Sequence, residues 1–414
     1  MSTLPGSAQS GSAQRGSARP GPAPHGPARS GFPRPGPGGL SGYAEHFIEP
    51  DGYLDYGRFG PPSADVVETT TGLMTQSSHC TARTVDELMR QELRARQAAA
   101  RLIGLDAASA DLSSIALLPN ASTGLFHAAL GLPRGDVLLP GHEFPANLYP
   151  WHRAAALGRV QPVPLATDRH GRITPDLVRS ALTRETVAVS LSAVDYRTGF
   201  RADLAGIREV IGPDRLLVVD AIQALGATEL PWTVADLLVT GGQKWLRAGW
   251  ATGFLYASPL ALERLEPVLT GWTGVAEPGR YDGRVHGPAD GAQRFSVTNL
   301  SPVAAGGLAR ALELVERAGM SRIAAHILQR TDELIDTVRS AGGRVLSPTA
   351  EHERAGIVSF ALPKADPEQV GRALEVHGVT ATVRPDQIRL CAHASTTLAT
   401  VDLVHAALRS LQRG

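Results

Sequence analysis

The sequence predicts an α/β fold: a large unit built on a mainly parallel seven-stranded sheet, followed by a smaller C-terminal α+β unit. Short apolar runs without polar alternation recur between residues 115 and 257, as strands buried on both faces require. Helical stretches separate these runs, which is the alternation of a parallel sheet. From Pro302 the pattern changes to two long helical stretches and then a few strands. A chain of 414 residues suits two domains, or one large domain with an appendage.

Residues 1–42 are rich in Pro, Gly, Ser and Ala. They have almost no apolar side chains to bury, so a disordered tail is expected. The tail contains arginine and no acid, but neither the apolar centre of a secretory signal nor an amphipathic apolar face. Residues 43–66 read as a lead-in packing with the smaller unit; Tyr53 to Pro62 is extended and ends in a turn. Thr84-Val-Asp-Glu87 is a capping-box pattern; it opens a helix to about Ile103, stopped by Gly104. In the large domain, 67–300, strands are expected at 115–118, 137–140, 160–165, 186–192, 215–220, 236–240 and 253–257. Helices are expected from the turn at 119–124 to near Gly131, after Pro145 and at 203–211. Residues 270–297 are Gly-rich and loop-like. The small domain, 301–414, should hold helices at about 302–318 and 321–341, a strand at 356–360, a helix at 367–377, an extended 380–392 and a last helix after Thr397.

Composition narrows the function classes. Formal net charge is zero, so no global field attracts nucleic acid or an anionic membrane, and no apolar run has the length of a membrane span. Two cysteines, Cys80 and Cys391, make a disulfide framework implausible and fit a reducing, cytoplasmic compartment. No metal-ligand spacing is present, so His142, His152 and His393 read as surface or core histidines. A P-loop is excluded, since no Gly-x4-Gly-Lys-Ser/Thr occurs.

Of the 40 Lys plus Arg residues only Lys244 and Lys364 are lysines. Lys244 follows an apolar strand and Gly-Gly-Gln. An amine there can be desolvated, lose its proton and bond a carbonyl, which a guanidinium cannot. In an open α/β sheet the ligand site lies at the carboxyl ends of the strands. Asp220 ends the run Leu-Leu-Val-Val, where a carboxylate is costly unless it meets a cation. Ala121-Ser122-Thr123-Gly124 opens a helix, whose N-terminus favours a phosphate, and Gln223 lies three residues beyond Asp220. Phosphate anchor, buried carboxylate and desolvated lysine are the parts that hold pyridoxal phosphate.

Asn-Ala-Ser-Thr-Gly, His-Glu-Phe-Pro-Ala-Asn-Leu-Tyr-Pro-Trp, Asp-Tyr-Arg-Thr-Gly, Asp-Ala-Ile-Gln and Gly-Gly-Gln-Lys-Trp-Leu occur here in one order. With this set the chain, over about residues 50–412, resembles the class V aminotransferases. These are fold-type I enzymes that include cysteine desulfurases, isopenicillin N epimerase-like proteins and kynureninases. The resemblance implies pyridoxal 5′-phosphate as cofactor, with Lys244 as the Schiff-base lysine and Asp220 as the pyridinium partner. It places Gln223 by the ring hydroxyl, Phe144 stacked on the ring where desulfurases have histidine, and Ser122, the Ala121 backbone and Gln243 at the phosphate. Thr298 matches a threonine reaching the neighbouring subunit's phosphate, which implies a homodimer with shared sites. Arg389 matches the arginine that grips the α-carboxylate of a small amino-acid substrate.

The chain also departs from that pattern. Between Arg384 and Arg389 stands only Pro-Asp-Gln-Ile, so the loop carrying the desulfurase cysteine is missing. Cys391 belongs to a strand pattern and Cys80 is far upstream. A serine usual near the lysine is absent, with Gly241-Gly242 in its region, and Val297 replaces the glycine usual before the threonine. Trp151 and Trp245 read as packing residues; roles for Arg197, Arg247 and Trp272 stay open. The frame without its cysteine points to β-elimination on a cysteine-derived or S-conjugated amino acid. Transamination and epimerisation are the alternatives, and a non-catalytic cofactor- or carrier-binding module is the reading from another class.

Overall fold

The apolar runs become β1 (Ile115–Leu117), β2 (Gly135–Pro140), β3 (Val160–Leu165), β4 (Thr186–Ser192), β5 (Leu216–Asp220), β6 (Leu237–Gly241) and β7 (Gly253–Ala257). They form one sheet in the order β1-β7-β6-β5-β4-β2-β3. Strands β3, β2, β4, β5 and β6 run parallel, and β7 runs against both β6 and β1. Strands β5, β6 and β7 are buried at every position, which is why their sequences show no polar alternation. In this computed structural model residues 39–105, 112–168 and 171–412 are described; the expected tail lies outside them, apart from residues 39–42.

The helices are α1 (Leu40–Ala44), α2 (Ala64–Ser78), α3 (Ala82–Leu102), α4 (Ala121–Gly131), α5 (Tyr149–Ala156), α6 (Pro175–Ala181), α7 (Leu204–Ile211), α8 (Pro259–Arg264), α9 (Pro302–Ala318), α10 (Met320–Ser340), α11 (Pro367–Val376) and α12 (Leu398–Ser410). Helix α3 begins two residues before the expected box. Its cap is Thr81, whose hydroxyl accepts the Thr84 N–H, so the Thr84 pattern lies inside the first turn. Helix α2 was not foreseen; its run of β-branched residues lowers intrinsic helicity, and packing on α9 outweighs that. Gly306 allows this approach, because a Cβ there would lie 2.2 Å from the Leu73 side chain.

Strands β8 (Arg344–Val345), β9 (Ile357–Ala361), β10 (Thr382–Arg384) and β11 (Gln387–Cys391) form a second sheet in the order β10-β11-β9-β8, antiparallel throughout. The expected extended stretch 380–392 is therefore a hairpin, broken at Pro385-Asp386, where proline removes a ladder donor and aspartate suits a turn. The apolar core changes hands inside α10. Ile323 and Ile327 pack with α9 against the large sheet, whereas Leu334, Ile335 and Val338 pack under the small one.

The lead-in segment runs between the two sheets. Tyr53 and Asp55 bridge to Thr380 and Cys391, and Leu54 is buried in the small core. Five residues on, the Gly60 N–H donates to the Gln243 carbonyl (2.9 Å). A Cβ on Gly60 would lie 2.0 Å from the Lys244 carbonyl oxygen, so only glycine fits under the lysine loop.

Candidate active site

Strand β5 ends on Asp220, beside Ser192 at the end of β4. Asp220 is buried, and its carboxylate accepts the Ile222 N–H at 2.9 Å. Burial pushes this carboxyl up to about 6, against the opposite pull of that N–H and of Lys244. Lys244 lies three residues past β6 and is 9% exposed. Burial pushes its amine down to about 8; Asp220 opposes the shift and Arg389 adds to it. Each group is thus biased toward its neutral form by loss of water. The loop is held in a costly conformation, with Arg247 at φ 57° and Ala251 at φ 59°, left-handed values rare outside glycine.

The Lys244 Nζ stands 5.4 Å from the centroid of the Phe144 ring. That ring is 40% exposed, so one aromatic face is open beside a buried amine. Phe144 is fixed by a network that the sequence reading did not single out. Glu143 accepts hydrogen bonds from Asn147 Nδ2 (2.7 Å) and Ser192 Oγ (2.6 Å), while Asn147 Oδ1 accepts from Ser190 Oγ (2.8 Å) and Trp151 Nε1 (3.1 Å). Burial raises the Glu143 carboxyl to about 7 despite the two donors; the Asp220 and Asp195 charges add to the rise. The spacing Glu143, Asn147, Trp151 at every fourth residue was the available signal.

Helix α4 presents its N-terminus at the end of β1. Asn120 caps it, accepting the Thr123 N–H at 3.0 Å, which leaves the first-turn N–H groups of Ala121 and Ser122 free for an anion. Gly124 lets α4 lie on β6, because a Cβ there would come 2.5 Å from Val239. Gln243 is half-buried in the lysine loop, and Gly241 makes room for its side chain: a Cβ there would sit 2.4 Å from Gln243 Oε1.

Gln223 is more committed than expected. Its Nε2 donates to the Gly57 carbonyl (2.9 Å) and its Oε1 accepts from Trp245 Nε1 (2.9 Å). One amide hydrogen remains for a ring hydroxyl; the rest ties the lead-in segment to the lysine loop.

Arg389 reaches the site from β11 and is 2% exposed. It already has partners: the Tyr196 carbonyl (2.8 Å), Thr382 Oγ1 (2.9 Å) and Asp55 Oδ1 (3.4 Å). The expected open carboxylate fork is therefore partly occupied by Asp55, a residue of the lead-in with no sequence motif of its own. Cys391 lies two residues on, fully buried, its N–H donating to the Leu54 carbonyl (2.7 Å). Burial raises its thiol. Cys80 is exposed between α2 and α3.

The undecided residues resolve differently. Arg247 is a buried clamp: it pairs with Glu49, donates to Ser395 Oγ (2.9 Å) and lies 3.5 Å over the Phe47 ring. Arg197 pairs with Asp195 (3.1 Å). Thr298 is exposed and accepts from Trp272 Nε1 at 3.3 Å; within one chain it stands apart from the Lys244 group in the contacts it makes. His393 is core, stacked on Tyr56 and pushed down to about 3 by burial. Among the described residues no group of three or more His, Cys, Asp or Glu is arranged to hold a metal, and no helix is long and apolar enough to cross a membrane.

The family model of the class V aminotransferases matches residues 63–402. The chain belongs to this family. A probable cysteine desulfurase of Methanothermobacter thermautotrophicus is 28% identical over 330 residues, 78% of this chain and 81% of that protein. Isopenicillin N epimerase of Streptomyces clavuligerus is 26% identical over 395 residues, 86% and 94% of the two chains. The cystine C–S lyase C-DES, solved with its product cysteine persulfide, superposes with a TM-score of 0.78 at 22% identity, covering 86% of this chain and 97% of its own. The fold of this class V protein is fold-type I, and the family's cofactor is pyridoxal 5′-phosphate. The residues present fit that group. Asp220 is a buried carboxylate with one N–H partner, Lys244 a buried amine, Phe144 an open ring, and α4 a capped helix start with free N–H groups.

Proposed function

We propose that this protein is a pyridoxal phosphate-dependent lyase that breaks the Cβ–S bond of a cysteine-derived or S-conjugated amino acid. The observation that carries the reading is a desolvated Lys244 facing a wall whose thiol is immobile. Cys391 is bound by its backbone inside β11 and fully buried, and two residues close the β10–β11 turn. A persulfide carrier must swing between substrate and acceptor; a thiol locked in a strand does not. Sulfur then leaves with its own substituent.

Asp220 would hold the cofactor's pyridine nitrogen protonated, Gln223 its hydroxyl, Phe144 its ring face, and Ala121, Ser122 and Gln243 its phosphate. The bound cofactor supplies an electron sink for charge at Cα. Lys244, with its amine near 8, takes the Cα proton. The freed pair forms a Cα–Cβ double bond, and the Cβ–S pair departs with sulfur as a thiol. The released 2-aminoacrylate hydrolyses to pyruvate and ammonia. Arg389 orients the α-carboxylate, exchanging the 3.4 Å contact with Asp55 for the substrate.

A homodimer with shared sites is part of this proposal. Trp272, Tyr281 and Val285 line one surface cavity and are each at least half exposed, an apolar surface of the kind that marks an interface, and Thr298 lies next to Trp272. Sedimentation should give a dimer; an active monomer would refute it. The reaction is tested by incubating the holoenzyme with S-substituted cysteines and other amino acids, following pyruvate, ammonia and pyridoxamine phosphate separately. Pyruvate with ammonia is expected. Pyridoxamine phosphate would make the protein an aminotransferase, inversion at Cα an epimerase, and no cofactor absorbance a non-catalytic module.

A further inference from the structure

Among the described residues one cation in the wall of the site has no counter-ion. Strands β10 and β11 pair Thr382 with Arg389 and Arg384 with Gln387. Directly opposed residues share a sheet face, so Thr382, Arg384, Gln387, Arg389 and Cys391 all belong to one face. It is the face turned toward Tyr196 and Arg197: Arg389 donates to the Tyr196 carbonyl (2.8 Å) and Gln387 to that of Arg197 (3.2 Å). Of the three arginines gathered here, Arg389 has Asp55 and Arg197 has Asp195. Among the described residues the Arg384 side chain makes no hydrogen bond and no ion pair. Its Nε is buried without a partner, and its guanidinium lies 5.1 Å over the Tyr196 ring. Arg389 and Arg197 also carry an unpartnered Nε, but their terminal nitrogens are engaged. The Arg384 Nε has lost hydration that nothing replaces, while the terminal nitrogens keep solvent access and stand open to a ligand.

Its position sets what it can read. The Tyr196 ring meets the Phe144 ring edge-on at 5.1 Å, and Phe144 lies 5.4 Å from Lys244. Lys244, Phe144, Tyr196 and Arg384 are therefore joined by successive contacts. Arg389 acts directly on Lys244, the place for an α-carboxylate. Arg384 touches the same Tyr196 ring that Phe144 meets, a position from which it can meet the substituent of the amino acid. We propose that Arg384 is a specificity-determining residue that receives a second, distal carboxylate on the substrate side chain. The lyase reading then narrows to S-conjugates whose departing thiol carries an acid. Tyr196 supports the fork from one face and leaves its edge nitrogens to the ligand.

This inference rests on the proposed function, and the test separates the two. Holoenzyme is titrated with S-carboxymethyl-L-cysteine, its neutral isostere S-carbamoylmethyl-L-cysteine, and S-methyl-L-cysteine. Binding is followed by the change in cofactor absorbance, and turnover separately by pyruvate. The wild type should bind the acid at least about tenfold tighter than the isostere. Arg384→Ala and Arg384→Gln should shrink that ratio to about twofold, with the loss confined to the acidic ligand, and Arg384→Lys should restore part of it. Arg384→Glu should turn the preference toward S-(2-aminoethyl)-L-cysteine. Equal affinity of the wild type for acid and isostere, or an equal loss for all three ligands in Arg384→Ala, overturns the proposal. Discrimination without pyruvate upholds the subsite and removes the lyase; pyruvate from all three ligands without discrimination does the reverse.

Discussion

The floor and the wall of the site treat charge in opposite ways. On the floor, at the ends of the large sheet's strands, Asp220, Glu143 and Lys244 are buried and biased toward neutrality, at about 6, 7 and 8. On the wall, formed by the hairpin β10–β11 and the 195–198 turn, the charged side chains are arginines, and among the described residues all but Arg384 sit against a carboxylate. The floor therefore suits proton transfer and the wall suits recognition of anions. The difference follows from the scaffolds. The parallel strand ends bury single carboxylates and an amine, whereas β11, equally buried, carries its polar side chains on the one face that meets the 195–198 turn.

Removing the floor's amine should do most damage. Lys244→Ala should lower turnover on the order of 10³-fold or more, since proton transfer and cofactor attachment go together. Borohydride reduction and mass spectrometry should find the cofactor adduct on Lys244 in the wild type and nowhere in the variant; an adduct on Lys364 would break the assignment.

Asp220→Asn should keep the fold and cost roughly 10²-fold in turnover, because an amide does not hold the pyridine nitrogen protonated. The same substitution sharpens the electrostatic side of the comparison. The folded carboxyl lies above its ordinary value of 3.8, at about 6. Well below pH 3.8 both folded and unfolded states are protonated and the aspartate costs nothing. As pH rises from about 4 to 6 the unfolded state gives up its proton first, and the cofactor-free wild type loses on the order of 1–3 kcal/mol. Denaturant unfolding of the cofactor-free proteins should show Asp220→Asn gaining on the wild type across that window and level above it. Parallel curves would place the carboxyl in water.

On the wall the effects should be smaller and fall on binding. Arg389→Lys should raise the apparent KM, as an ammonium lacks the bidentate fork; losing the pair outright costs about 2–5 kcal/mol. Unchanged KM would move the α-carboxylate elsewhere. Cys391→Ser should have the least effect, about twofold in turnover, the thiol being locked in β11 rather than reacting. A dead Cys391→Ser with a normal fold would return the desulfurase reading.

Sequence alone determined the parts that depend on local pattern. Seven apolar runs became seven strands; in β5, β6 and β7 burial on both faces leaves no alternation to misread, while β3 at the sheet edge is partly exposed. Asp220 and Lys244 were legible because a carboxylate and a lone lysine interrupt such runs at their carboxyl ends. Phe144 and Gln243 were reachable only through a family resemblance, since nothing local marks them, whereas Ser122 was marked by the helix start at 121–124. Tertiary structure decided what depends on long-range pairing. Asp55 faces Arg389 from 334 positions away in the chain. Gln223 divides its amide between Gly57 and Trp245, and α9 joins the large core although it follows the pattern change at Pro302. Arg384 differs from Arg389 in no sequence feature. One has an acid across the gap and the other has none, a distinction made by which loops the fold brings to the same face.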